Sequence, residues 1–244
     1  MPSAVITVPS FSSARDGVRH FFGTKSHAEK LDFDVGVPAR SGDPHGDGWF
    51  LSVKQVHGTQ VLVVDRALKE SDRFTDGWDA LVTDQPGVTV AVRTADCVPI
   101  LVYDRRRKAV AAIHAGWRGA VAGIVPRTLA LMKSRFNVND IDLRIGIGPS
   151  AGPCCYEVDE TVLAPLRNGI SEWRLLLHDD RGSKAKLDLK ALVCRQLGDY
   201  GLRPEQISLV NLCTICHGEL FYSYRREGRV NGTMISGIAL EASR

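Results

Sequence analysis

The sequence predicts an α/β (α+β) sandwich, in which a mixed β-sheet core with flanking helices forms a single domain over residues 1–244. Three observations support this class. Short β-branched apolar runs recur from Trp49 onward, as expected for strands. After Trp117 the apolar residues fall three or four positions apart, which indicates helices. No internal stretch has the composition of a linker, so one large domain fits this length better than two small ones.

The composition is typical of a globular protein. Hydrophobic residues make up 44% of the chain, charged residues 24%, and the net charge is +3. A charge this small predicts neither a nucleic-acid partner nor an anionic membrane partner. The N-terminal residues lack the basic and long apolar regions of a secretion signal, so we expect a cytoplasmic protein. The sequence leaves both a monomer and a small homo-oligomer open.

Turn sequences separate the predicted strands in the first half of the chain. His57-Gly58-Thr59, Gln85-Pro86-Gly87 and the charged segment 104–108 each link two apolar runs. Because the links are short, we expect antiparallel hairpins. The predicted strands are Phe50–Val56, Gln60–Val64, Asp79–Val82, Val88–Val92, Val98–Tyr103 and Ala109–Ile113.

Three helices and four further strands complete the prediction. One apolar face predicts a helix from about Gly119 to Phe136, with a kink or a later start at Pro126. A second helix covers roughly Glu157–Leu166, and a third amphipathic helix, over Leu187–Tyr200, ends at Gly201. The remaining predicted strands are Ile141–Ile147, Ser208–Leu212, Leu220–Tyr224 and Met234–Ile238.

Two histidines and one cysteine at predicted strand ends are candidate metal ligands: His57, Cys97 and His114. Imidazole and thiolate are ligands that zinc takes, and three protein ligands with one open position form the catalytic type of site. The three positions are far apart in the sequence, unlike a local zinc knuckle. Spacing alone therefore leaves the alternative of core histidines with satisfied hydrogen bonds.

Five segments occur in a fixed order from about Lys54 to Leu240. They are Lys54-Gln55-Val56-His57-Gly58, Ala95-Asp96-Cys97-Val98-Pro99, His114-Ala115-Gly116-Trp117-Arg118-Gly119, Gly148-Pro149 with Cys155-Tyr156-Glu157-Val158, and Phe221-Tyr222-Ser223-Tyr224-Arg225-Arg226. Together they resemble the laccase-domain family, also called peptidoglycan editing factor, whose members are now regarded as purine nucleoside phosphorylases. Five matching segments in order are more specific than any one of them.

This resemblance implies a zinc ion bound by His57, Cys97 and His114, with purine nucleoside and phosphate as substrates. It implies phosphorolysis of adenosine, inosine, guanosine and methylthioadenosine, together with deamination of adenosine. Copper is the less expected metal, because one cysteine and two histidines offer one compact site and not the several centres of a copper oxidase.

Five more residues are candidates for substrate contact or catalysis. Arg118 and Arg225 suit phosphate, because guanidinium groups bind phosphate oxygens through two hydrogen bonds; the alternative for each is a surface ion pair. Asp96 adjoins Cys97, and we expect it to fix an imidazole tautomer or, as the second choice, to shuttle a proton. Lys54 and Gln55 precede His57 and are candidates for binding substrate or phosphate.

Several features depart from the family or point elsewhere. Phe22-Gly23-Thr24-Lys25-Ser26-His27 stands where the family usually has an Arg and a Gly-Gly-Val-Ser type loop, and Lys25 lacks the bidentate fork of Arg. Cys213-Thr214-Ile215-Cys216-His217 spells a c-type haem pattern, but no export signal accompanies it. We expect Cys154 and Cys155 to be packing or turn residues rather than a disulfide.

Two other functions stay open from the sequence. One is a hydrolase that edits peptidoglycan precursors, which would use the same zinc in a larger and more polar pocket. The other is a non-catalytic, zinc-containing module that senses a nucleotide.

Overall fold

Two β-sheets lie at the centre of the structure, which is a computed structural model that describes residues 5–11, 17–29, 33–40 and 48–241. In spatial order, the described strands of the first sheet are β1 (Val5–Ile6), β2 (Val18–Gly23), β15 (Met234–Leu240), β7 (Val88–Thr94), β4 (Trp49–Ser52) and β3 (Ala39–Arg40). Those of the second are β14 (Ile207–Leu209), β10 (Leu143–Ile147), β8 (Val98–Asp104), β9 (Ala109–Ala115), β6 (Ala80–Thr83) and β5 (Val61–Val64).

A small third sheet, six α-helices and four 3₁₀ helices of three or four residues make up the rest of the described elements. The third sheet contains β11 (Glu157–Asp159), β13 (Lys184–Leu187) and β12 (Leu177–His178). The α-helices are α1 (Lys25–Ala28), α2 (Trp117–Val121), α3 (Ile124–Phe136), α4 (Glu160–Gly169), α5 (Leu189–Asp199) and α6 (Tyr224–Glu227). None of the described helices combines the length and hydropathy required to cross a lipid bilayer.

The two large sheets pack face to face. Leu51 and Val90 of the first sheet share one buried cluster with Leu101 and Val110 of the second. The other face of the second sheet packs against α3, α4 and α5. Strands β8 and β9 are therefore covered on both faces, which explains why each is apolar along nearly its whole length and buried throughout. The predicted mixed α/β sandwich is confirmed.

The predicted hairpins are mostly wrong. Only the link between β8 and β9, at segment 104–108, joins two antiparallel neighbours. The link at His57-Gly58-Thr59 carries the chain from the first sheet to the second, and Gln85-Pro86-Gly87 carries it back. As a result β4 pairs with β7, and β5 with β6, in parallel. A short turn thus fixes a change of direction but not the sheet that the next strand joins.

Other predicted boundaries shift for local reasons. The helix predicted from Gly119 to Phe136 is two helices, because Gly123 adopts a positive φ of 84° between α2 and α3. Pro126 falls in the first turn of α3, where its missing amide hydrogen breaks no helical bond. Glu157 begins a strand, and Leu187 ends one. Leu220–Tyr224 forms no strand, since Ser223 caps α6 instead.

Candidate metal centre

The three predicted ligands converge, although they come from three separate segments. The candidate ligand atoms of His57, Cys97 and His114 all lie within 4.8 Å of one another. Cys97 Sγ lies 3.8 Å from His57 Nε2, and the two imidazole rings meet edge to face at 4.8 Å. With usual zinc–sulfur and zinc–nitrogen bond lengths, a tetrahedral ion would place such atoms roughly 3.6 Å apart. The residues present therefore fit a zinc ion.

Asp79, which the sequence analysis did not select, holds two of the ligands in place. Its carboxylate is fully buried and accepts hydrogen bonds from the backbone N–H groups of Val56, His57 and Gly58, at 3.3, 2.9 and 2.6 Å. These bonds fix a turn in which His57 has a positive φ of 59°. Such a conformation is unfavourable for a residue with a Cβ atom, so the carboxylate stabilises a strained ligand.

The same carboxylate orients the buried ligand His114. Asp79 Oδ1 lies 2.8 Å from His114 Nδ1, which leaves Nε2 as the nitrogen that faces the other ligands. Burial raises the pKa of Asp79, but the hydrogen bonds from His114 and from the Gly58 amide outweigh it and hold this pKa below its usual value. Asp79 is thus ionised, and its contact with Nδ1 orients the His114 imidazole.

The cysteine and the buried histidine favour each other's charged forms. Burial disfavours the Cys97 thiolate, but the neighbouring His114 and His57 lower the pKa of Cys97 to about 6. Burial likewise opposes charge on His114, whereas Cys97 and Asp79 raise its pKa to about 9. A metal ion would take the place of the imidazole proton, because only neutral imidazole and thiolate bind metal.

Two glycines allow α2 to approach the ligands closely. A Cβ atom on Gly116 would lie 2.7 Å from His57 Cδ2 and 3.1 Å from Cys97 Sγ. A Cβ atom on Gly119 would lie 2.8 Å from the carbonyl oxygen of Gly58. The start of α2 therefore forms one side of the metal centre, and a side chain at either position would push it away.

A cavity of about 550 Å³ opens beside the three ligands. Four of the five other predicted site residues line it, whereas Lys54 is exposed and lies outside the described lining. Three of the lining side chains, those of Trp117, Tyr156 and Tyr224, are aromatic. Besides the ligands, the lining residues are Gln55, Arg93, Ala95, Asp96, Trp117, Arg118, Tyr156, Tyr224, Arg225, Val230 and Thr233.

Arg118 and Arg225 both reach the cavity from short helices. The Arg118 guanidinium stacks on the ring of Trp117 at 4.2 Å. The Arg225 guanidinium lies 5.0 Å from the ring of Tyr156 and donates to the carbonyl oxygen of Glu157. Neither forms an ion pair with a described carboxylate. Burial raises the pKa of Tyr156 to about 12, so its hydroxyl is a neutral hydrogen-bond donor.

Arg93 is a further cationic lining residue that the sequence analysis missed. It lies near the end of β7, where its Nε is buried without a hydrogen-bond partner, and burial lowers its pKa. Arg93 lines the cavity, and guanidinium groups bind anions such as phosphate through their N–H groups. A charged residue near the end of a strand that otherwise has only apolar residues and threonines, just before the segment that contains Cys97, was the available signal.

Gln55 and Asp96 use their polar atoms within the protein. The Gln55 amide exchanges two 2.8 Å hydrogen bonds with the backbone of Arg93. Asp96 accepts from Thr214 Oγ1 at 2.6 Å, Ser223 Oγ at 3.0 Å and the Arg225 N–H at 2.7 Å. Asp96 was expected to fix an imidazole tautomer, but among the described contacts of the three predicted ligands it is the carboxylate of Asp79 that reaches an imidazole, that of His114.

Comparison with known sequences identifies related proteins. Residues 43–241 match the family described as multi-copper polyphenol oxidoreductase laccase. A protein of Bacteroides thetaiotaomicron named purine nucleoside phosphorylase is 37% identical over 192 residues, which cover 76% of this chain and 71% of that protein. The human protein named purine nucleoside phosphorylase LACC1 is 31% identical over 196 residues, covering 79% of this chain and 44% of the human protein.

Solved structures agree with the sequence comparison. The crystal structure of YlmD from Geobacillus stearothermophilus has a TM-score of 0.80 at 28% identity, and the alignment covers 99% of this chain and 98% of YlmD. The hypothetical protein YfiH from Bacillus licheniformis has the same TM-score at 26% identity, with 98% and 97% covered. The chain belongs to the multi-copper polyphenol oxidoreductase laccase family, the laccase-domain family that its five segments resemble.

Proposed function

We propose that this chain is a zinc-dependent purine nucleoside phosphorylase that acts on adenosine, inosine, guanosine and methylthioadenosine. The observation that carries the proposal is the convergence of His57, Cys97 and His114 beside a cavity lined by aromatic rings and guanidinium groups. About 550 Å³ is a size typical of small-molecule sites. The relatives named purine nucleoside phosphorylase support the same reaction.

Phosphorolysis requires a phosphate held beside the ribose and a stabilised leaving purine, and the lining residues can meet both requirements. A phosphate oxygen bonds to C1′ of the ribose as the bond from C1′ to the purine nitrogen breaks, and the purine leaves with the electron pair and gains a proton. Arg93, Arg118 and Arg225 are the candidates for holding phosphate, since guanidinium N–H groups bind phosphate oxygens in pairs. Fixing phosphate beside the ribose removes much of the entropic barrier to the bimolecular step.

The apolar part of the cavity suits the purine. Trp117, Tyr156 and Tyr224 offer ring faces on which a base can stack. The neutral Tyr156 hydroxyl can donate a hydrogen bond to a purine nitrogen on which negative charge develops. We thus propose that these three aromatic residues bind and orient the leaving base.

Zinc is the metal we propose for the centre. Two imidazoles and one thiolate with room for a reactant match a catalytic zinc site, and the bound metal supplies a Lewis acid that also acidifies water near neutral pH. Copper remains the second metal to measure. The other described group of potential ligands contains only cysteines, so the described residues offer no several-centre histidine array for oxygen reduction.

Adenosine deamination is the second reaction we propose for this site, because the open position beside the ligands can also bring water to the purine ring. Water would add at C6, and ammonia would leave, giving inosine. The peptidoglycan hydrolase hypothesis requires a larger and more polar pocket than this partly aromatic one, and the sensor hypothesis requires binding without turnover.

One assay set separates these functions. The zinc-loaded protein is incubated with inosine, with and without phosphate, and with adenosine without phosphate. We expect hypoxanthine and ribose 1-phosphate from inosine only when phosphate is present, and inosine with ammonia from adenosine. Cys97→Ser should abolish both reactions. Binding of inosine without turnover would support the sensor, and cleavage of a muramyl precursor alone would support the hydrolase.

A further inference from the structure

A second group of potential metal ligands lies on the loops next to the cavity. We call it the cysteine cluster, and it consists of Cys154, Cys155, Cys213 and Cys216. Its four Sγ atoms all lie within 4.8 Å of one another. Cys216 Sγ is 3.5 Å from Cys154 Sγ and 3.4 Å from Cys155 Sγ. These separations are too long for a disulfide bond, and the structure has the thiols free.

The sulfur spacing is close to that of a tetrathiolate zinc site. Zinc–sulfur bonds of about 2.3 Å in tetrahedral geometry place the sulfur atoms roughly 3.8 Å apart. Shifts of a few tenths of an ångström would bring the shorter pairs to this distance. Four thiols also form a closed coordination shell, which characterises structural rather than catalytic zinc.

Backbone hydrogen bonds already favour thiolate at one position. The Gly152 N–H lies 3.3 Å from Cys213 Sγ, and the N–H groups of Ile215 and Cys216 also contact this sulfur. Amide groups directed at a sulfur stabilise its negative charge. Two residues separate Cys213 from Cys216 in a turn that the hydrogen bond from His217 N–H to the Cys213 carbonyl oxygen closes. Both sulfur atoms therefore belong to the same group of thiols.

Nearby cations offset the charge that a tetrathiolate would carry. Zinc with four thiolates has a net charge of −2, which must be balanced where it is partly buried. The Lys190 ammonium is buried and donates to the carbonyl oxygens of Val210 and Leu212, immediately before Cys213. Lys190 also interacts electrostatically with Cys213 and Cys154, and Lys186 with Cys155.

We propose that the cysteine cluster is a structural metal site that binds one zinc ion. The site joins two loops, each of which adjoins a residue that lines the cavity or bonds to one. Cys155 precedes Tyr156, which lines the cavity, and Cys213 precedes Thr214, which donates to Asp96. The metal therefore fixes the loop at 150–156 against the loop at 211–217. The same geometry argues against c-type haem attachment at Cys213 and Cys216, since the sulfur atoms of both residues lie beside other thiols.

The test measures zinc content in the full chain purified under reducing conditions. We expect two zinc ions per wild-type chain and one in Cys97→Ser, which removes a ligand from the other centre only. Cys216→Ser should also hold one zinc ion, and its Tm should fall by about 5 °C or more, because metal binding free energy contributes to folding. Cys194→Ser is the control and should keep two, since Cys194 lies in α5 outside both groups.

Cobalt identifies the ligands of the remaining ion. Cys97→Ser loaded with Co²⁺ should show strong thiolate-to-cobalt charge transfer, and adding Cys213→Ser should remove most of it. This measurement does not depend on nucleoside turnover, so its failure is separate from that of the proposed enzyme. If Cys216→Ser fails to fold, Cys97→Ser alone still decides. A metal-free Cys97→Ser, or a disulfide between cluster cysteines in freshly purified protein, would overturn the proposal.

Discussion

At the scale of single residues, Asp79 links the chemistry of the metal centre to the backbone that supports it. One carboxylate oxygen bonds His114 Nδ1, and both oxygens accept backbone N–H groups from the turn that contains His57. The carboxylate therefore sets the position of one ligand and the tautomer of another. Sequence reasoning placed Asp79 only as the first residue of a strand, although an acidic residue beginning an apolar strand was a usable signal.

Replacing Asp79 should weaken the metal centre without altering a ligand. In Asp79→Asn, the amide N–H₂ group faces donors that need an acceptor, so we expect metal affinity or activity to fall about 10- to 100-fold. Zinc titration with a competing chelator measures the affinity. Asp65→Asn is the control, because Asp65 is exposed and bonds Arg135 at 2.5 Å. Equal affinities in the two variants would contradict the orienting role.

Arg93 offers a test of phosphate binding that leaves the metal ligands intact. A hydrogen bond to a charged group contributes about 1.5–3 kcal/mol, so Arg93→Ala should raise the phosphate KM about 10- to 100-fold. The Gln55 side chain bonds the backbone of Arg93, so Arg93→Ala should keep both of these hydrogen bonds and the position of the segment that contains Gln55. Initial rates at varied phosphate concentration measure the effect, with zinc content as a check.

Two comparisons sharpen this prediction. Arg93→Lys should recover only part of the loss, since lysine supplies the charge but not the planar fork. Arg106→Ala, at the exposed tip between β8 and β9, should behave as wild type. An unchanged phosphate KM in Arg93→Ala would remove Arg93 from the phosphate site.

At the scale of elements, the site depends on the close approach of α2 to the turn at His57. Adding one methyl group at Gly116 tests this dependence. In Gly116→Ala the new Cβ would lie 2.7 Å from His57 Cδ2, so α2 or the imidazole must shift. A shift of about 1 Å at a reacting centre lowers rates about 100-fold, and we expect kcat to fall by at least about tenfold. Steady-state kinetics of inosine cleavage would measure it.

A helical glycine elsewhere is the matched control for that substitution. A Cβ atom on Gly198, in α5, would meet nothing within 4 Å. Gly198→Ala should therefore stabilise the protein by about 0.5–1 kcal/mol, because alanine favours helix, and should leave kcat unchanged. A wild-type rate in Gly116→Ala would show that the site has more space than the structure indicates.

The contact between β2 and the segment at residues 8–11 gives the fold a defined pH dependence. His20 Nε2 accepts the Val8 N–H at 2.8 Å, and its ring meets Phe11 edge to face. Burial lowers the pKa of His20 from 6.5 to about 4. Protonation therefore occurs more readily in the unfolded chain, so this stability is present above pH 6.5 and is lost as the pH falls toward about 4.

Chemical denaturation at several pH values tests this element. The free energy of unfolding should decrease between pH 6.5 and about pH 4 in the wild type. His20→Gln should flatten this decrease, because an amide oxygen can accept the Val8 N–H without titrating. The same slope in both proteins would mean that His20 does not control acid sensitivity.

The elements themselves were largely predictable, because hydrophobic periodicity is a local property. From Trp49 to Ala115 each predicted strand lies within a few residues of an observed one. An interruption of the helix was expected at Pro126, but the break lies at Gly123, because it depends on the positive φ of that glycine. Strand β11 begins at Glu157, where only pairing with β13 distinguishes a short strand from a helix start.

At the scale of the whole molecule, the arrangement of strands was beyond local sequence reasoning. Parallel pairing of β4 with β7 and of β5 with β6 arises because the chain alternates between two sheets, crossing to the second sheet after β4 and returning to the first before β7. The three candidate metal ligands were selected by residue type and by a family resemblance, and their meeting depends on this alternation. Asp79 and Arg93 were missed for a related reason: Asp79 contacts residues that are distant in the sequence, and Arg93 joins the cavity lining only in the folded chain.

Substitution of Asp96 tests how far the site depends on contacts between distant parts of the chain. Its two oxygens bind Thr214, Ser223 and the amide of Arg225, and its positive φ of 96° is one that asparagine also tolerates. Asp96→Asn should keep the backbone but weaken charge-assisted bonds worth about 1.5–3 kcal/mol each. We expect Tm to fall by about 3–10 °C, as measured by thermal denaturation.

The pH profile of kcat separates this positioning role from proton transfer. If Asp96 only positions other residues, Asp96→Asn lowers Tm and activity together and leaves the pH profile unchanged. If Asp96 is a proton shuttle, the substitution removes one limb of the profile. Thr214→Val takes away one of the donors to Asp96, so it should reproduce part of the Tm loss. The effects of the two substitutions should be less than additive in the double variant, because they share one hydrogen bond. A lost limb with an unchanged Tm would instead place Asp96 in the reaction.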